Sequence, residues 1–285
     1  MKFKQAFNQY MIYVKSMKSK GTYDCYRSHQ TFILKELGNV ELKKINQKLL
    51  LSYIDKRKIN NPKIKNVTIN KELKLIRQVY KYILGIPLNI TLLSETKITI
   101  QTVSKETFVK ILTHLESKLT NKLAFRNYIY IRLLIETGLR LNEINNILIR
   151  NINFDENSIL VEITKTDENR YVFFLDDTAK LLQEYVQKYQ QNEYLFIDFN
   201  TGNVLSTSAV ENMLRRLRKR LNIDTSISPH KWRHTFATKF ARNNGNMEAL
   251  RMLMGHSNLK TTQKYIHLNK DDLRQSYYSA VSPTF

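Results

Sequence analysis

The chain has 285 residues, 42% of them hydrophobic, and 46 lysines and arginines stand against 25 acids for a formal net charge of +21. That suits two modest packed domains or one large one, with a polyanionic partner: nucleic acid first, with ribosomal proteins and anionic-membrane binders sharing the bias. Cys25 is the only cysteine, which excludes an internal disulfide or a cysteine zinc site, and no run of about twenty apolar residues is present to cross a membrane.

Residues 1–6 lack the apolar core of a secretion signal, so a cytoplasmic location is expected. Residues 1–85 read as four helices. Phe7, Tyr10, Met11 and Val14 recur at helical spacing, and 49–54 and 73–84 continue the pattern. Gly21, Gly38 and Asn60-Asn61-Pro62 punctuate it. This segment holds 19 lysines and arginines against five acids, a net of +14 in under a third of the chain. Solvated lysines are one reading. The imbalance favours the other, a surface that tracks phosphates.

Periodicity lapses over 86–102, where Pro87 suits extended chain, and this stretch is expected to link two domains. Ser104 can cap a helix starting at Lys105, and helical apolar spacing then continues to about Glu136. Gly138 can stop that helix in the left-handed conformation. Residues 139–148 resume a helix with Arg140 in its first turn, where backbone N–H groups favour an anion. The bland alternative is a surface arginine paired with Glu136 or Glu143. Three strands follow, at 149–154, 158–164 and 170–175, separated by polar turns. Arg170 opens the third. The remainder reads as helix, so the fold class is mainly α with a small antiparallel β-sheet.

Two further islands carry chemistry. In Ser228-Pro229-His230-Lys231-Trp232-Arg233-His234, Ser228 can cap a helix and Pro229 open it. His230 and Arg233 then share one face of its first turn. A guanidinium can grip two phosphate oxygens, and an imidazole can donate to one or move a proton near neutral pH. A metal site built on His230 and His234, or a structural histidine, are the competing readings. In the other island, Leu253-Met254-Gly255-His256, Gly255 ends one helix and Ser257 can cap the next. His256 lies in the corner, and Tyr265 about two turns further on. Tyr277 and Tyr278 are later tyrosines without a histidine-bearing corner before them.

Together, Thr137-Gly138-Leu139-Arg140 with Glu143, the run from His230 to Thr238, and Leu253 to His256 followed nine residues later by Tyr265 resemble the tyrosine recombinase (phage integrase) family. The match covers the segment from about residue 103 to 285. The helical segment 1–85 is similar to that family's core-binding domain in length and helix count, and the overall size resembles its compact Xer-like and transposon-resolution members. The resemblance implies an N-terminal four-helix core-binding domain (1–85), a linker (86–102) and an α+β catalytic domain (103–285). It implies Arg140, His230, Arg233 and His256 as catalytic residues and Tyr265 as nucleophile. Lys165, at the turn after the second strand, fits the family's hairpin lysine, although the glycines usual beside it are absent.

The implied reaction cuts and rejoins DNA through a 3′-phosphotyrosine, without metal, ATP or cofactor. It serves dimer or cointegrate resolution, or integration and excision of a mobile element. The implied partners are double-stranded DNA bearing a specific site, a homotetramer in the synaptic complex, and an accessory or partner recombinase. The tail 268–285, with Leu273, Tyr277, Tyr278 and Val281 at helical spacing, is expected to dock on a neighbouring protomer. Two other classes compete: a type IB topoisomerase-like enzyme, told apart by strand exchange between marked duplexes, and a non-catalytic DNA-binding regulator, which loss of a catalytic residue would have suggested.

Overall fold

Phe3, Phe7, Tyr10 and Val14 recur every three or four residues, so one face of the first helix is apolar and must be covered. In the computed structural model that face is buried in helix α1 (Phe3–Met17) against α2 (Lys20–Leu37) and α4 (Asn66–Leu84), with α3 (Gln47–Asn60) completing a four-helix unit. The structure describes residues 1–95, 100–162, 169–189, 192–243, 245–256 and 261–262. It separates into two units, 1–98 and 99–285. Gly21, expected as a break, lies inside the first turn of α2. The cap is Ser19, whose hydroxyl accepts from the Thr22 amide at 3.3 Å. Gly38 does end α2, at φ 78°.

The core of the first unit holds a charge. Glu72 on α4 is fully buried. Its carboxylate accepts from the Tyr53 hydroxyl at 2.7 Å and from Arg57 Nε and Nη2 at 3.0 and 2.8 Å, and His29 lies 3.5 Å away. The Arg57 guanidinium also sits over the Phe32 ring, 4.9 Å from its centre. Burial drives the Tyr53 hydroxyl far above its ordinary pKa, and its hydrogen bond to Glu72 adds to the rise. The chain after α4 runs back along that helix. Asn70 receives the Leu93 amide and donates to the Leu93 carbonyl, both at 2.9 Å.

In the second unit α6 (Lys122–Thr137) is the central element, its Phe125, Ile129, Leu133 and Leu134 all buried. Packed on it are α5 (Lys105–Glu116), α8 (Asp176–Tyr189) and α10 (Pro229–Arg242). Ser104 caps α5 as its sequence predicts, accepting from the Thr107 amide at 3.2 Å. The sheet is antiparallel in the order β1 (Ile152–Asn153), β2 (Ser158–Val161), β3 (Arg170–Phe173). The first strand is shorter than expected. Residues 147–149 instead pair with the chain at 193–195 (Ile149 N to Glu193 O and Leu195 N to Ile147 O, both 2.9 Å), and a 3-10 turn at Ile149–Asn151 intervenes. Leu175, expected in the third strand, turns away as its amide donates to Glu136 at 3.0 Å. Trp232 on α10 is fully buried, donates its indole N–H to the Ile227 carbonyl at 3.1 Å and meets Phe108 edge-on. Among the described residues no helix is long and apolar enough to cross a membrane.

Two glycines set the corners around which the site is built. Gly138 ends α6 at φ 61°, and a Cβ there would stand 2.2 Å from Phe236 Cδ1. Gly255 ends α11 (Met247–Met254) at φ 60°. A Cβ there would stand 2.9 Å from Arg170 Nη1 and 3.2 Å from Arg140 Nη1. At both positions conformation and space exclude a side chain together.

Candidate active site

The last carbonyls of an α-helix have no partner within the helix and form the negative end of its dipole. At the C-terminal end of α11 three successive carbonyls are each met by a guanidinium from elsewhere in the chain. Leu253 O accepts from Arg170 Nε at 2.9 Å, Met254 O from Arg233 Nη2 at 2.5 Å, and Gly255 O from Arg140 Nη2 at 2.6 Å. These arginines come from the start of β3, the first turn of α10 and the residue before α7 (Leu141–Asn145). Residues far apart in the chain thus converge on one helix end.

Arg140 differs from its expected place by one residue. It is the N-cap of α7, with extended backbone (φ −70°, ψ 152°), rather than a residue of the first turn. The cause is Glu143, whose carboxylate accepts the Arg140 amide at 2.7 Å and Arg140 Nη1 at 2.7 Å, closing the cap from within the helix. The ion pair with Glu143 that the bland reading allowed therefore forms, and it orients the guanidinium toward Gly255. Glu136 pairs with Arg132 instead, at 3.3 Å. The Arg140 side chain remains 41% exposed. A guanidinium carries more N–H donors than these bonds use, so it still has donors to offer an incoming oxygen.

Arg233 is buried and ties two corners together, donating from Nη1 to the Gly138 carbonyl at 2.7 Å as well as to Met254. Its Nη2 also lies 3.0 Å from His256 Nε2. The other ring nitrogen, Nδ1, lies 3.0 Å from the hydroxyl of Thr262, which is fully buried. His256 is thus held from both sides. His230 is exposed in the first turn of α10, three residues before Arg233 and on the same helical face. Lys165 and Tyr265 lie outside the described residues, as does the tail at 268–285. Thr262, three positions before Tyr265, is the described residue nearest to it in sequence. Among the described residues no group of three or more His, Cys, Asp or Glu side chains is placed to hold a metal ion.

Two participants were not singled out from sequence. Nothing in the local pattern marks Thr262, and Arg170 shows in sequence only as the opening of a strand. The signal available for Arg170 was weak, a basic residue at the inward position of a short strand. Its Nη2 donates to Glu143 at 2.7 Å, so Glu143 joins two guanidiniums.

Burial pushes the Glu143 carboxyl up, but the hydrogen bond and charge of Arg170, with the amide and guanidinium of Arg140, outweigh it and leave its pKa below the ordinary 4.5. A depressed carboxyl lends stability that is complete above about pH 4.5 and is lost as pH falls through the folded-state value. Glu143→Gln should therefore be less stable than the unaltered protein at pH 7, with the gap narrowing toward pH 3. Urea unfolding across that range checks this, and a gap constant with pH would show that Glu143 is not held ionised by these arginines.

The phage integrase family model matches residues 101–272, more than half of the chain. Tyrosine recombinase XerA of Saccharolobus solfataricus is 40% identical over 157 residues, 55% of this chain and 51% of that protein. Tyrosine recombinase XerC of Anoxybacillus flavithermus is 26% identical over 294 residues, covering 95% of each. Several other curated relatives are matched over little more than half of their length. The fold superposes on the Tn1549 transposon integrase, solved in complex with circular intermediate DNA, with a TM-score of 0.84 at 18% identity, covering 99% of this chain and 100% of that one. The chain belongs to the phage integrase family.

Proposed function

We propose that this protein is a site-specific tyrosine recombinase that cuts and rejoins double-stranded DNA through a phosphodiester bond to Tyr265. The observation that carries this reading is the meeting of Arg140, Arg233 and His256 at one helix end, three residues from three separate sequence islands. A family match over the same segment supports it.

In this scheme the Tyr265 phenol oxygen attacks a backbone phosphorus. The bond to the 5′ oxygen breaks, leaving a 3′-phosphotyrosine and a free 5′-hydroxyl. The exchange conserves a phosphodiester, so rejoining needs no ATP, and covalent catalysis divides one hard step into two easier ones. Arg140 and Arg233 hold the non-bridging oxygens and offset the charge that builds on them. Removing one preorganised donor of this kind typically costs about 3–4 kcal/mol, or about 10²–10³ in rate. His256 donates from Nε2 to a non-bridging oxygen once the bound phosphate takes the place of its contact with Arg233. The exposed His230 takes the phenol proton and returns it on reversal, and Lys165 protonates the departing 5′ oxygen. A phenol ordinarily ionises near pH 10, so it needs this cationic setting to act at neutral pH.

Recombination requires paired cuts, so the working assembly is four protomers on two DNA sites, with the tail at 268–285 contacting a neighbour and room for a partner recombinase. The site of action is the cytoplasm, and the role is dimer or cointegrate resolution or movement of a mobile element. The test is to incubate the protein with fragmented DNA from the organism that encodes it, trap the covalent adduct under denaturing conditions, sequence the attached ends and map the modified peptide. The expected result is one recurrent sequence joined to Tyr265, followed by exchange of strands between two marked duplexes carrying it. Relaxation of supercoiled DNA without strand exchange would instead favour a topoisomerase, and absence of any adduct would overturn the covalent chemistry.

A further inference from the structure

Arg170 has four relations that, taken together, exceed those of a simple structural ion pair. Its Nη2 donates to Glu143 at 2.7 Å, on the carboxylate oxygen that also accepts the Arg140 amide. Its Nε donates to the Leu253 carbonyl at 2.9 Å, one residue before the carbonyl held by Arg233. The side chain is only 8% exposed. Its remaining nitrogen, Nη1, is buried with no hydrogen-bond partner among the described residues. A buried donor left unsatisfied is unfavourable, and in a native structure it calls for a reason beyond stability.

The position of Arg170 beside Arg140 points to what it does. Arg170 and Arg140 lie side by side over Gly255, both Nη1 atoms within 3.2 Å of the point where a Cβ would stand. Like-charged guanidiniums packed this closely repel, and Glu143 between them offsets that repulsion. Arg140 therefore has its direction set by two things, Glu143 and Gly255 O, and Arg170 fastens both. It grips Glu143 directly, and it anchors the end of α11 two residues before Gly255.

We propose that Arg170 is a positioning residue for the phosphoryl-transfer reaction: it aims Arg140 at the scissile phosphate and sets the corner that carries His256, without itself touching DNA. This rests on the recombinase reading above. Lysine at 170 would keep the charge beside Glu143 but has a single nitrogen, which cannot span Glu143 and Leu253 in the way a guanidinium does. Glutamine would remove the charge and leave Glu143 with Arg140 alone.

The test compares the full-length protein with Arg170→Lys and Arg170→Gln on the duplex recovered from the wild-type adduct. Thermal unfolding, equilibrium DNA binding and the single-turnover rate of adduct formation at saturating DNA are measured for each. Outer partners that orient a catalytic group typically matter by about 10- to 100-fold. The expected result is DNA affinity close to wild type in both variants. Adduct formation should be slowed by about 100-fold in Arg170→Gln and by about 10-fold in Arg170→Lys, whose unfolding temperature stays near wild type. Unchanged rates in both variants would overturn the proposal. So would a fall in rate that simply follows loss of folded protein or loss of DNA binding, since that is what a stabilising ion pair predicts. Failure of the wild type to form any adduct would strike the recombinase reading itself, and is distinguishable because it appears before either variant is compared.

Discussion

Tyr265→Phe is expected to abolish the covalent protein–DNA adduct while leaving DNA binding nearly intact. The substitution removes one oxygen, the atom assigned to attack phosphorus, and keeps the aromatic ring. A nucleophile must approach in line with the leaving oxygen, so on this assignment a group at another position does not replace the phenol by a small shift. For a chain with 46 lysines and arginines, contacts to phosphates are expected to dominate DNA binding, so loss of a neutral hydroxyl should hardly alter it. Labelled duplex resolved on a denaturing gel reads the adduct, and a gel shift reads binding. The control matters because Tyr277 and Tyr278 follow in the same chain. Adduct persisting in the phenylalanine variant would move the nucleophile to another residue, and the mapped peptide would say which.

Glu72→Ala should destabilise the first unit by about 3–5 kcal/mol, the usual penalty for stripping one partner from a buried ion pair. Arg57 would be left in the core, 6% exposed, with its Nε and Nη2 donors to Glu72 unanswered, and the Tyr53 hydroxyl would lose its acceptor at 2.7 Å. In the intact protein the hydrogen bonds that Arg57 donates to Glu72 keep its guanidinium more basic than usual, despite burial acting the other way. A domain of this size has only about 5–15 kcal/mol in hand, so the loss is a large share of it. Urea unfolding monitored on the isolated phase of the first unit is the measurement. The double variant Glu72→Leu with Arg57→Met separates causes, because removing both charges should recover most of what the single change loses. A single variant within about 1 kcal/mol of wild type would mean that the cluster is hydrated or rearranged rather than a sealed pair.

What could be read without coordinates was local in origin. A helix cap, a left-handed glycine or a strand alternation is decided by residues within about four positions of one another. Ser104, Gly138, Ser228 and Gly255 accordingly mark helix ends where the sequence places them. The four helices of the first unit and the three strands also follow from short-range pattern, apart from strand ends trimmed by pairing with distant chain. Local pattern did not join Arg140, Arg233 and His256; the resemblance of the three motif islands to a known family implied that they act together.

Tertiary structure decided how those residues are held. The bonds that bring the arginines to α11 join positions 115, 83 and 21 residues apart, and no periodicity encodes such pairings. Arg170 was invisible as a participant because a strand residue shows which face it uses, not what waits across that face. Glu72 sits in a helix with Lys71, Lys74 and Lys81, and nothing in that local pattern marks it for burial, yet folding buries it between Tyr53 and Arg57. Sequence by itself determined which chemical groups the chain can bring and where its helices stop. Which guanidinium meets which carbonyl was settled only when those helices packed, because a charge or a helix end taken from water has to find its partner in whatever part of the chain lies against it.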